Sequence, residues 1–340
     1  MNFPFLRECG ANPDLLKLWE EGFPLKCDDD FERRDIQNHR SLKEAEEFAS
    51  NEWLRLEEAG KVDMFDEKPP DLHVNPCGAL IKQRKGEPGV KIRIIVDLLR
   101  SLLNENLDDS NTMESKNPSV CEAVESFTVG SFLFVIDLSD CFFHWLVKEE
   151  DQSLLGFYDP IRKKYGRYRF LPFGLSKSPG FNCASVTELT RLLYKRKNVK
   201  LSTFVDDSLG GDSSCEGAWT KFESAVEFFL DCGVAVSIKS SGLVPPSQET
   251  VWTGWMIHTV KKMIIAEEKK CSTASNQIKE ILTLDKNKNL RAKTLASNQG
   301  LLVHLSVTSR FKRRTHNVWG VLNVSGVYQA WQRGSTANPK

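Results

Sequence analysis

Phe204-Val205-Asp206-Asp207 sets two adjacent carboxylates directly after a strand-like, largely apolar run, Leu201 to Val205. Neighbouring residues of an extended strand point to opposite sides. The two acids therefore meet only if the chain turns tightly there, with a cation to offset their repulsion. An ordinary surface turn, where Asp is common, is the alternative. A second apolar run, Phe132 to Leu138, carries Asp137 at its end. Two strand-end acids side by side form a cage suited to two Mg²⁺ or Mn²⁺ ions. Two such cations about 3.5–4 Å apart activate a hydroxyl nucleophile and stabilise a leaving pyrophosphate during in-line phosphoryl transfer.

The elements that must position these acids are legible in the pattern. After Gly210-Gly211, Trp219, Phe222, Val226 and Phe229 recur at helical spacing. Gly233 closes that helix, and Val234 to Ile238 reads as a returning strand. Upstream, Ala79-Leu80-Ile81 and Ile92 to Val96 are β-rich runs around Lys82 to Gly89, which predicts a hairpin with a basic tip. Further upstream, Leu42, Ala45, Phe48, Ala49, Trp53 and Leu56 predict a helix that stops at Gly60. Ser41 and Glu44 have capping-box spacing at its start. Residues 1–40 read as loosely organised and acidic, and residues 275–330 as mostly helical.

Several of these segments, in order, resemble the reverse-transcriptase family over about residues 40 to 325. Asp137-Leu138-Ser139-Asp140-Cys141-Phe142 is similar to the family's first palm motif. Leu171-Pro172-Phe173-Gly174-Leu175 is similar to the segment that packs on template and nucleotide, and Phe204-Val205-Asp206-Asp207 to the aromatic-x-Asp-Asp hairpin. Ser237-Ile238-Lys239 and Val251-Trp252-Thr253-Gly254-Trp255 resemble the next two elements. Lys82-Gln83-Arg84 and Arg93-Ile94-Ile95-Val96-Asp97 resemble the fingers hairpin. Retrotransposon enzymes, of long-terminal-repeat or DIRS type, are the nearest in kind. Two residues more than the family spacing stand between Asp97 and Asn104, which leaves the register of Arg100 and Asn104 open.

That resemblance implies an α+β right-hand polymerase with fingers, an antiparallel-sheet palm and a helical thumb or connection. An acidic, partly helical extension would cover 1–70, fingers 71–130, palm 131–258 with a fingers return near 150–172, and a basic helical thumb or connection 259–340. It implies an RNA-directed DNA polymerase of a retroelement that adds dNTPs to a primer 3′-hydroxyl on an RNA or DNA template. Asp137, Asp206 and Asp207 would hold two Mg²⁺ or Mn²⁺ ions, and Lys239 would donate a proton to pyrophosphate. Lys82, Arg84 and Arg93 would hold the triphosphate, Phe142 would exclude a 2′-hydroxyl, and Phe173 and Gly174 would line the nucleotide pocket. Trp252, Gly254 and Trp255 would grip the primer. Outside the motif series, Phe142, Trp252 and Trp255 read equally as core aromatics, and the basic tip as an exposed turn. A catalytically inactive or domesticated module of the same fold that binds nucleic acid is the alternative function.

Composition sets the outer bounds. The chain has 340 residues, 40% hydrophobic and 27% charged, with a net charge of zero. Charge is unevenly spread: residues 1–70 hold 10 Lys and Arg against 18 Asp and Glu, whereas residues 261–340 hold 15 against 4. The basic end suits a phosphate backbone, or is a solvated helix face. Nine scattered cysteines without a Cys-x-x-Cys pair predict free thiols rather than disulfides or a zinc site. No apolar run is long enough to span a bilayer and no secretory signal is present. An intracellular protein, cytoplasmic or nuclear and without a membrane partner, is expected. With no ribonuclease H, integrase, recombinase or protease pattern, the chain reads as part of a polyprotein or as a degenerate element copy.

Overall fold

The computed structural model describes residues 1–28, 30–83, 90–108, 113, 117–238, 242–266, 268–283, 290–291, 300–301 and 336–337. It is a mixed α+β chain that divides into two units. The first comprises 1–117, 137–206 and 224–237, and the second 118–136, 207–223 and 238–340.

The N-terminal residues are ordered by local caps, where loose structure was expected. Asn2 and Asn12 accept backbone N–H groups at the starts of α1 (Phe3–Cys9) and α2 (Pro13–Glu21), each with proline in the first turn. α2 is fixed by its aromatic residue. Trp19 stacks on Trp145 at 5.8 Å and donates through Nε1 to Ser185 Oγ at 2.8 Å. Phe23 stacks on Phe181 at 4.4 Å. The segment is part of the first unit's core, a role its acidic surface concealed.

The next helix, α3 (Glu46–Glu58), buries Ala49, Trp53 and Leu56 as the periodicity predicts. Its start differs. Arg40–Ala45 is a 3-10 turn without a side-chain cap, and Ser41 Oγ instead accepts from Ala79 N at 3.3 Å. The capping box does not form because Ser41 serves the neighbouring hairpin. That hairpin, β2 (Cys77–Gln83) and β3 (Val90–Val96), is antiparallel, with Leu80 opposite Arg93 and Lys82 opposite Lys91. β1 (Val62–Phe65), β5 (Gly156–Asp159) and β6 (Lys164–Tyr168) make a separate antiparallel sheet in the order β1–β6–β5. Trp53 stacks on Phe157 at 4.7 Å and donates to Tyr168 Oη at 2.9 Å, which joins α3 to that sheet.

In the second unit α4 (Val120–Val124) begins at a capping box formed by Ser119 and Glu122. β4 (Phe132–Asp137) follows, and Leu133, Phe134, Val135 and Ile136 are buried. α5 (Ser178–Lys197) is the longest described helix and returns to the first unit. β7 (Ser202–Phe204) leads to the acid pair, and β8 (Asp207–Asp212) starts on the second acid. α6 (Cys215–Asp231) forms as expected and ends at Gly233, φ +75°.

The expected strand at Val234–Ile238 is reduced to one bridge, Leu138 with Val236. The strand that pairs with β4 is β9 (Leu243–Ser247), whose two prolines mask it in the sequence. The order β8–β4–β9 leaves β9 on an edge, and the ladder shifts register between Leu133 and Val135, opposite Pro245-Pro246. An edge with a bulge is where proline is tolerated. β10 (Glu249–Trp252), β11 (Trp255–His258) and β12 (Met263–Ala266) form an antiparallel meander before α7 (Glu268–Thr283). No described helix is long and apolar enough to cross a membrane.

Candidate functional site

β4 delivers Asp137 because its buried residues hold it in the second unit's apolar core while the chain passes at Asp137 into the first unit. Beyond it the backbone is held on both flanks. Leu138 N donates to Asp206 O at 3.1 Å; on the opposite side Ser237 N donates to Asp137 O at 2.8 Å and Ser139 N to Ala235 O at 2.9 Å. Asp137 and Asp206 thus lie on neighbouring hydrogen-bonded stretches of the first unit, both half-buried. Both charges reach the Cys141 thiol, whose pKa is raised by burial first and then by Asp206 and Asp137.

The tight turn expected at the acid pair is present. Asp206 N donates to Phe204 O at 2.8 Å, and Val205 between them adopts φ +60°. A β-branched residue in the left-handed region is strained, at a cost of order 1–3 kcal/mol, and persists only where its surroundings fix it. Two asparagines do so. Asn117 Oδ1 accepts from Val205 N at 3.2 Å, and Asn182 Nδ2 donates to Val205 O at 2.8 Å.

Phe142 lies in the 3-10 turn Cys141–His144, 9% exposed, with its ring 4.9 Å from Phe173 at 67°. The approach to this turn is set by Asp140 at φ +50°, whose carboxylate meets Arg55 of α3 at 3.1 Å. Phe173 is half exposed. Gly174 follows at φ +104°, where a Cβ would run into the carbonyl oxygen of Val96, so no larger residue fits. Asn104 brackets the same turn: its Nδ2 donates to Gly174 O and its Oδ1 accepts from Ser176 N, each at 2.9 Å. The two-residue departure in spacing therefore leaves Asn104 engaged with this segment. Arg100 N instead closes a local turn on Asp97 Oδ1 at 3.0 Å.

The remaining predicted residues fall elsewhere. Arg93 is exposed on β3, and Lys82 is the last residue but one of β2, opposite Lys91. Arg84 and Lys239 lie outside the described residues. Asp207 belongs to the second unit, where its carbonyl accepts from Trp252 Nε1 at 3.3 Å. Trp252 and Trp255 are 1% and 2% exposed in a cluster with Val120, Leu133, Val135, Leu209 and Ile257. Between them Thr253 (φ +48°) and Gly254 (φ +80°) make a two-residue hairpin turn of the I′ kind. The two indoles are core, so any contact this hairpin makes with a ligand falls to its turn and its exposed Val251 and Met256. A cavity of about 340 Å³ lies in the second unit, lined by Val124, Phe127, Leu133, Ile257 and Met263 among others, and includes none of the candidate residues.

Asp137 and Asp206 supply carboxylate oxygens, the donors hard divalent cations prefer. Their adjacency on hydrogen-bonded stretches suits a shared cation. Among the described residues no group of three or more His, Cys, Asp or Glu side chains is arranged to hold a metal ion. Sequence reasoning missed Asn182, Asn117 and Arg55, polar residues far along the chain from the turns they hold, and left the register of Asn104 open. The chain matches no protein-family model and no curated protein.

Proposed function

We propose that the chain is a right-hand polymerase of the reverse-transcriptase kind, adding deoxynucleotides to a primer 3′-hydroxyl on a nucleic-acid template. The ordered motif series supports this reading, and one observation carries it: Asp137 and Asp206 stand on adjacent stretches with Asp206 on a strained, doubly held turn. Strain maintained next to a carboxylate suits chemistry better than packing.

Bound Mg²⁺ or Mn²⁺ ions supply Lewis-acid activation of the hydroxyl and neutralise charge on the transferred phosphoryl group. Asp137 and Asp206 would hold them, with Asp207, the next residue along the chain, as the further ligand that the motif series implies. Phe142, braced by Phe173, blocks a 2′-hydroxyl and so selects deoxynucleotides. Gly174 and Asn104 shape the segment beneath the nucleotide, while Arg93 with Lys82 and Arg84 binds phosphates, guanidinium offering bidentate contacts. Lys239 donates a proton to the leaving pyrophosphate, and the basic residues after 260 attract template backbone. The test is incorporation of a single dNTP by wild type, Asp137→Asn and Asp206→Asn. Extension by wild type, reduced to background in both variants at unchanged folding, is expected, and full activity in either variant overturns the assignment.

A further inference from the structure

Asn182 is wholly buried and uses both ends of its amide. Nδ2 donates to Val205 O at 2.8 Å, while Oδ1 accepts from Trp145 Nε1 at 2.7 Å and from Cys141 Sγ at 2.9 Å. One α5 side chain thus ties the turn that presents Asp206 to the loop that begins at Asp137 and contains Phe142. The orientation of the amide is over-determined. Trp145 Nε1 is a donor only, so it fixes Oδ1 on its own side and points Nδ2 at Val205. Trp145 is itself held, buried and stacked on Trp19. Among the described residues no other hydrogen bond reaches the Val205 carbonyl, so Asn182 holds the far end of the peptide whose strain sets the direction of Asp206.

We propose that Asn182 is a positioning residue for the divalent-cation site, fixing Asp206 relative to Asp137 by clamping the left-handed Val205. The inference rests on the reading of these acids as metal ligands. It differs from a packing role in one respect: glycine adopts φ > 0 freely, so a glycine at position 205 needs no clamp.

The experiment uses the full chain with Asn182→Ala and Asn182→Asp, each alone and combined with Val205→Gly. Mn²⁺ binding by calorimetry, melting temperature, and kcat and KM in primer extension are measured. Outer ligand-positioning contacts of this kind are worth about 10–100-fold in metal affinity or activity. The single variants are expected to lose Mn²⁺ affinity and kcat on that scale, with the KM for dNTP within about twofold. Val205→Gly is expected to restore most of the loss, although it returns none of the bonds to Trp145 or Cys141. A loss that Val205→Gly does not restore, misfolding included, overturns the proposal, as does unchanged Mn²⁺ affinity in the single variants. If wild type binds Mn²⁺ and shows this rescue yet extends no primer, the inference stands and the polymerase reading falls. If wild type binds no Mn²⁺, both fall.

Discussion

Two turns each carry a β-branched residue at positive φ, and they differ in what surrounds them. The turn at Val205 has one β-branched residue at φ +60°, held by side chains 88 and 23 residues away, Asn117 and Asn182. The turn at Thr253-Gly254 closes between paired strands and is anchored by Trp252 and Trp255 in an apolar core. The second also carries a β-branched residue at positive φ, Thr253 at +48°, and Lys270 Nζ donates to its carbonyl at 3.0 Å, but its flanking strands pair and its stability comes from burial of the two indoles. The first is maintained by buried amides, whose value depends on every partner being present. A difference of this sort separates a turn that organises a core from one that aims a charged group.

The comparison is broken most severely by removing the charged group. Asp206→Asn should abolish nucleotide addition while the melting temperature stays within a few degrees; lost folding would show that Asp206 is structural. Trp252→Ala should do the reverse. Emptying that core position costs about 3–5 kcal/mol, read as a fall in denaturation midpoint. Trp252→Phe, which keeps bulk and loses only the bond to Asp207 O, should cost about 0.5–1.5 kcal/mol.

A smaller effect sharpens the contrast through the gate. Phe142→Val removes a ring packed on Phe173 and should lower the preference for dNTP over rNTP at least about tenfold, or about 1.4 kcal/mol. An unchanged ratio would return Phe142 to the role of a core residue. A separate effect is on pH. His144 accepts from Ala235 N through Nε2 at 2.9 Å, and burial lowers its pKa to about 4. Burial likewise lowers that of His73 to about 4. With folded pKa values below the ordinary 6.5, the unfolded chain binds more protons between these limits. Stability is therefore full above about pH 6.5 and falls toward about pH 4. A melting temperature that is flat across this window would contradict the assignment.

Locally encoded features were legible in the sequence. The β2–β3 hairpin, β4 and α6 follow from alternation, helical spacing and glycine placement. So does the clustering of acids at strand ends. Features set by distant partners were not legible. β9 carries two prolines and forms because it is a bulged edge. Ser41 abandons its cap for Ala79. The N-terminal helices looked like acidic surface because one face of α2, with Trp19, is buried while the other remains charged. Asn182 carries no local signal, since nothing in its neighbours announces a bond to Val205.

Extension of a DNA primer on an RNA template by the full chain, with Mg²⁺ or Mn²⁺ and either dNTPs or rNTPs, tests the central claim most directly. Metal-dependent extension by dNTPs alone, absent in Asp206→Asn, is the expected result. Folded protein that binds the primer–template and adds no nucleotide under any of these conditions would contradict it and leave a nucleic-acid-binding module.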